Sequence, residues 1–258
     1  MKSYSSTDVA SLDDFALALI GEPFTGKTCL AGELLPPGFH VLCTEFKLAP
    51  MRARIGSKPF TYSRPDLKDD GTPQMLSKVF EAAIAHAKAA LTDTAVTGLI
   101  VDSMTSLGEF LEMHLVEYAG AGKDLIIAGQ KAMTMAHWSP YRDLMRKFLI
   151  ALRTYHKPIV CIFHERVIED ATGNNVLRPM MGGQLKDSVT KLFSDSWRII
   201  TKPGGPNGYK RMVRTEPAHN FTQLGHSAPS LPAEFELTAD GSHIALLRQH
   251  YPLLCPQA

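Results

Sequence analysis

The run Gly21-Glu22-Pro23-Phe24-Thr25-Gly26-Lys27-Thr28 has the spacing G-x-x-x-x-G-K-[ST] of a loop that holds a phosphate chain. The chemistry explains the spacing. Glycines let the backbone curl until consecutive N–H groups point at phosphate oxygens, and the helix that follows turns its positive end on them. Lys27 then reaches the β- and γ-phosphates, Thr28 offers a hydroxyl to Mg²⁺, and the set of contacts runs on to Cys29. A chance match in a chain of this length has odds of about 1%. An apolar strand ends just before the loop and a helix begins at Lys27, as the motif demands. The pattern predicts a site for ATP and Mg²⁺. The loop interior, Glu22-Pro23-Phe24-Thr25, lacks the extra glycine that many such loops carry, which predicts a stiffer loop.

A second metal contact should come from an acid closing an apolar strand, and Leu99-Ile100-Val101-Asp102 supplies one. The competing reading of Asp102 is a cap on the next helix. Ser103 follows it, not Glu, so a general base beside Asp102 is disfavoured. Glu45, two residues past a second apolar strand, is the candidate base, because the C-terminal ends of parallel strands line the ligand crevice. The alternative is a solvated loop carboxylate. His164-Glu165 ends another such strand, where the imidazole could touch the γ-phosphate or the attacking water; otherwise it makes a local hydrogen bond. The remaining nine histidines show no metal-ligand spacing.

These residues need a scaffold, and the hydrophobic pattern predicts an α/β fold with a mostly parallel sheet. Buried strands are expected at 15–20, 39–43, 98–102 and 159–163. Helices are expected at 27–35, 73–91 and 105–118, with another opening at Ser139-Pro140. Residues 44–58 read as an irregular basic stretch, and 120–138 as loop or broken helix. Beyond the fourth strand, turn clusters predict hairpins at about 166–178 and 196–216, with a short helix at 185–193 between them. No repeat, low-complexity tract or long linker divides the chain. The expected organisation is an N-terminal segment at 1–13, a core at 14–216, and a tail at 217–258 packed on that core.

Composition sets the outer bounds. With 258 residues, 45% apolar and 21% charged, the chain is ordinary globular material and needs no disulfide or structural metal. Its four cysteines, Cys29, Cys43, Cys161 and Cys255, are widely spaced and three sit in apolar surroundings, which suits reduced thiols in a cytoplasmic protein. Neither a signal peptide nor a membrane span is legible. Net charge is +1, from 27 Lys and Arg against 26 Asp and Glu, so a nucleic-acid surface must be a local patch.

In order and spacing, GEPFTGKT, CTE, GLIVDSMTSL, the Trp-led Trp138-Ser139-Pro140-Tyr141, IVCIFHER and RPMMGG resemble a RecA-type ATPase. More narrowly, residues 14–216 are similar to phage-encoded RecA-like ATP-binding proteins of the Sak4 recombination group, allied to the AAA_24 family. The resemblance implies a RecA-like P-loop fold in which Lys27 and Thr28 bind phosphate and Mg²⁺. It makes Asp102 the Walker B acid, Glu45 the catalytic carboxylate and His164 the sensor. It also implies ssDNA as effector, assembly into rings or filaments, a single-strand-binding protein as partner, and the cytoplasm of a phage host as location.

The resemblance has a gap. Relatives often carry basic residues after the last strands, where this chain reads Asn220-Phe221-Thr222-Gln223-Leu224-Gly225-His226. The nearest candidates for a charge donated across a subunit interface are Lys210, Arg211 and Arg214. The expected DNA loops are 120–138, with Lys123, Lys131 and Trp138, and the hairpin around Arg166 and Arg178. Neither is strongly basic, so DNA binding is expected to be weak, salt-sensitive and dependent on assembly. The stretch with Lys47, Arg52, Arg54 and Lys58 reads as a solvated face or a DNA contact. Two other functions fit the motifs: a nucleotide-dependent interaction module with little turnover, and a P-loop small-molecule kinase, for which no arginine-rich lid is visible.

Overall fold

The computed structural model describes residues 15–45, 47–118, 125–127, 130–170, 172–204, 208–218, 221, 223–228, 230–252 and 254. The apolar runs form strands because large and β-branched side chains suit a pleat buried on both faces. They are β1 (Ala16–Gly21), β2 (Phe39–Cys43), β4 (Leu99–Asp102) and the first half of β7 (Ile159–Glu169). With β3 (Phe60–Ser63) and β9 (Asp195–Pro203) they make a parallel run in the order β9-β1-β7-β4-β2-β3. Antiparallel β10 (Tyr209–Arg214) and β11 (Glu234–Glu236) extend the β9 edge.

Alternation along the strands divides the interior into two cores. Ala18 and Ile20 of β1 face α3 (Val79–Thr92), α4 (Met104–Tyr118) and α5 (Trp138–Arg153). Leu17 and Leu19 face α1 (Lys27–Leu34) and α2 (Ala49–Ile55). Leu17 and Leu19 are fully buried, so truncating either to Ala costs about 2–5 kcal/mol. The C-terminal α6 (Ser242–His250) brings Leu247 into the second core, with Tyr251 and Leu254 behind it. No helix among the described residues is long and apolar enough to cross a membrane.

Several sequence expectations change. Residues 49–55 are helical, not irregular: Pro50 sits in the first turn of α2 and Gly56 ends it at φ 60, and the unexpected edge strand β3 follows. α3 starts at Val79, behind a 3₁₀ turn at Leu76–Lys78, rather than at residue 73. α5 starts at Trp138, one residue before the expected cap at Ser139. Its lead-in turn is capped by Thr134, which exchanges hydrogen bonds with His137. The short helix at 185–193 is instead two 3₁₀ turns, Gly183–Asp187 and Val189–Leu192.

β7 runs past residue 163 to Glu169 and folds back as β8 (Asn175–Pro179), which is the first expected hairpin. The second forms between β9 and β10. Within 120–138 the described part is a short antiparallel pair, β5 (Leu125–Ile127) and β6 (Gln130–Ala132), followed by the 3₁₀ turn at Met135–His137. The N-terminal segment 1–13, Lys123, Asn220, Thr222 and Cys255 lie outside the described residues. Cys43 and Cys161 are buried and Cys29 is partly so.

Candidate functional site

The parallel register collects the candidate residues at one edge of the sheet. Gly21 is level with His164 across β1 and β7, and Cys43 is level with Asp102 across β2 and β4. The loop after β1, Glu45 after β2, Asp102 and His164 therefore meet at the C-terminal ends of adjacent strands, where α/β sheets place ligands.

The loop is built as its sequence predicts. Gly26 lies in the left-handed region at φ 99, and its carbonyl accepts the first bond of α1 from the Leu30 N–H at 3.0 Å. Gly21 has no room for a side chain, since a Cβ there would lie 2.6 Å from the Ile199 carbonyl oxygen. The Thr25 hydroxyl donates to the Glu22 carbonyl at 2.9 Å and braces the glycine-free interior. Lys27 is buried and donates to the carbonyls of Gly21 at 2.9 Å and Glu22 at 2.6 Å. Burial pushes its ammonium down to about 8, against the pull of Asp102, Glu45, Glu165 and Glu22.

The Thr28 hydroxyl donates to Asp102 Oδ2 at 2.8 Å. Burial pushes the Asp102 carboxyl up to about 6, although the Thr28 hydrogen bond and Lys27 oppose the shift. A hydroxyl and a carboxylate side by side are hard oxygen donors. Among the described residues no group of three His, Cys, Asp or Glu could hold a metal. The donors thus fit a cation that draws its remaining ligands from water and phosphate, the habit of Mg²⁺. Asp102 is not the helix cap; Ser103 Oγ takes that role by accepting from the Ser106 N–H at 3.2 Å.

Glu45 is not a free loop carboxylate. One oxygen accepts from the hydroxyls of Ser103 and Ser106, the latter at 3.1 Å, and lies 2.7 Å from His164 Nε2. Burial would raise its carboxyl, but the bonds from His164 and Ser103 outweigh it and hold it at about 2. Thr44 fixes the same corner: its hydroxyl accepts from the Ser103 N–H at 2.8 Å and donates to the Ser103 carbonyl at 3.2 Å. Thr105 Oγ1 accepts from the His164 N–H at 3.0 Å. The His164 Nδ1 is buried and meets no partner among the described residues. Sequence reasoning missed Thr44, Thr105 and Ser106 and took Ser103 only as the absence of a base, although the hydroxyl run after Asp102 was a signal for residues 103, 105 and 106. Ser103 replaces the absent acid by holding one from another strand.

Glu165, beside His164, is neutralised by Arg198 in a bidentate pair at 2.6 and 2.8 Å, and both side chains are largely buried. The basic stretch serves its own chain. Arg54 pairs with Glu33 and donates to the Thr238 and Ala239 carbonyls, while Lys58 donates to the Gly32 and Glu33 carbonyls. Arg52 lies over the Phe60 ring, and Lys47 over Phe24. In the expected DNA segments, Arg166 donates to the Met181 carbonyl and Arg178 pairs with Asp187. Trp138 packs on the RPMMGG turn, where a Cβ on Gly182 would lie 2.6 Å from the indole. Of the cations on β10, Lys210 lies 3.9 Å from Glu236 and Arg214 3.1 Å from Glu234. Arg211 faces the loop.

A family model described as AAA_24, AAA domain, matches residues 14–223. Among solved structures, a KaiC-like protein from the hyperthermophilic archaeon Pyrococcus horikoshii is 14% identical, with a TM-score of 0.49 and 88% of each chain covered. No curated protein matches the sequence.

Proposed function

The chain belongs to the AAA_24 family, and on that premise we propose that it is an ATP-hydrolysing P-loop enzyme whose turnover answers to single-stranded DNA. The observation that carries the hydrolytic part is the contact of Thr28 with Asp102 at 2.8 Å, with Glu45 anchored on the very next residue, Ser103. The loop amides and Lys27 bind and orient the β- and γ-phosphates. Thr28 and Asp102 would hold Mg²⁺, which neutralises charge on the phosphate oxygens when bound. Glu45 orients the attacking water. Held at about 2, its carboxyl is a poor proton acceptor, which suits a reaction that asks more for positioning than for a strong base. His164, bonded to Glu45, carries the state of the nucleotide into β7 and its hairpin.

The ssDNA part rests on the resemblance to phage recombination proteins. It gives the chain a role in phage recombination, annealing or repair, in rings or filaments, beside a single-strand-binding protein in the host cytoplasm. With most described cations held by their own chain, DNA contact is shared among subunits and falls steeply with salt.

ATP hydrolysis with and without ssDNA, repeated with Lys27→Ala, tests the proposal. Turnover stimulated by DNA and lost in the variant is expected. Nucleotide binding without turnover would leave an interaction module instead, and DNA-independent phosphorylation of a metabolite would make the chain a small-molecule kinase.

A further inference from the structure

The geometry points to Arg211 as a nucleotide-binding residue of its own chain, its guanidinium meeting the α- and β-phosphates of a nucleotide in the loop. The inference rests on the reading of residues 21–28 as a nucleotide site. Side chains alternate along β10, and Val213 packs into the core beneath α1, so Arg211 leaves the sheet on that same face. Arg211 is level with Thr201 on β9, two residues beyond Ile199, which is level with Gly21. It therefore stands past the end of β1, beside the loop.

The contacts agree with that placement. A Cβ on Gly26 would lie 3.5 Å from Arg211 Cδ and 4.0 Å from Nη1, and Nη2 donates to the Phe24 carbonyl at 3.5 Å. The charge also reaches the Cys29 thiol. Lys27 serves the β- and γ-phosphates, whereas the loop backbone and the start of α1 cradle the α- and β-phosphates. A cation against Phe24 and Gly26 belongs to that second part.

Charge pairing singles out the same residue. Lys202 and Arg214 share Glu234, and Lys210 lies near Glu236. Arg211 has no carboxylate within 4 Å among the described residues; its other neighbour is the Tyr209 ring, 5.8 Å away. A partly exposed guanidinium without an acid, placed against a phosphate-binding backbone, is satisfied by a polyanion in a bidentate or forked contact.

A cation on the α- and β-phosphates, away from the group being transferred, grips ground state and transition state alike, so it acts on affinity and KM. A charge arriving from a neighbouring subunit at the γ-phosphate acts on kcat. Calorimetric binding of Mg-ADP and Mg-ATP to the full chain, with steady-state kinetics, separates the two. Arg211→Ala should weaken ADP and ATP alike, by about tenfold or more, with KM rising in step. Arg211→Lys should recover part of the loss. The inference is overturned if Arg211→Ala binds both nucleotides like the unaltered protein, or loses kcat while ADP affinity stays intact. Lys27→Ala is the control on the underlying reading: if it too binds normally, the loop is not the nucleotide site. Should Arg211→Ala fail to fold, Arg211→Gln carries the same comparison.

Discussion

The Nε2 of His164 lies 2.7 Å from Oε1 of Glu45, a contact between residues 119 positions apart in the chain. It joins the carboxylate proposed to orient water to the strand that continues into the β7–β8 hairpin. Through this bond the hairpin and the carboxylate are proposed to sense one another, in both directions.

Glu45→Gln keeps the shape and removes the charge. Nucleotide binding should persist and hydrolysis should fall by about a hundredfold or more, as seen in single-turnover kinetics. Normal hydrolysis by this variant would remove Glu45 from the mechanism.

His164→Ala should leave ATP affinity near that of the unaltered chain and abolish the response of turnover to ssDNA. The informative quantity is the ratio of rates with and without DNA. If stimulation persists in full, the imidazole is only a structural partner of Glu45.

Arg198→Ala strands the buried Glu165 carboxylate, and removing one member of such a pair costs about 3–5 kcal/mol. Urea unfolding should show that loss. The double variant Glu165→Gln with Arg198→Met should recover much of it, because no uncompensated charge remains. A near-zero effect of Arg198→Ala would mean that the pair is screened by solvent.

His40 lies between Thr61 Oγ1 at 2.8 Å and Ser63 Oγ at 2.9 Å, where β2 meets the edge strand β3. Burial pushes its imidazole down to about 4 from an ordinary 6.5, and His86 adds to the shift. Between those values the unfolded chain takes up the proton more readily than the folded one. The stability that neutral His40 contributes is therefore complete above pH 6.5 and is lost as pH falls towards 4. Urea midpoints measured across that range should decline with acidity, and His40→Asn should flatten the decline. An equal slope in both proteins would assign the acid sensitivity to other groups.

The phosphate-binding loop was legible because its chemistry sits in eight consecutive residues, with a glycine where the backbone turns left-handed and another where Ile199 leaves no room. The strands around it and helices α3, α4 and α5 were legible because burial on one face or two imposes a period that a short window of sequence carries. Lone Glu45 and His164 could be nominated by position alone, at the ends of two apolar runs. The edge strand β3 was not legible: it is four residues long and only partly buried, so it carries little hydrophobic signal.

What the sequence could not determine is which groups meet. Ser103 and Ser106 reach Glu45 across 58 and 61 positions, and Arg211 reaches the Phe24 carbonyl across 187. Those meetings depend on the strand order β10-β9-β1-β7-β4-β2 and on its register, which no local pattern encodes. The local sequence thus determined a phosphate-binding loop on a buried parallel sheet, because backbone curvature and hydrophobic period are short-range properties. The tertiary structure alone decided that Glu45 is held acidic by Ser103 and His164 and that Arg211 faces its own loop, because hydrogen bonds and charges act between neighbours in space.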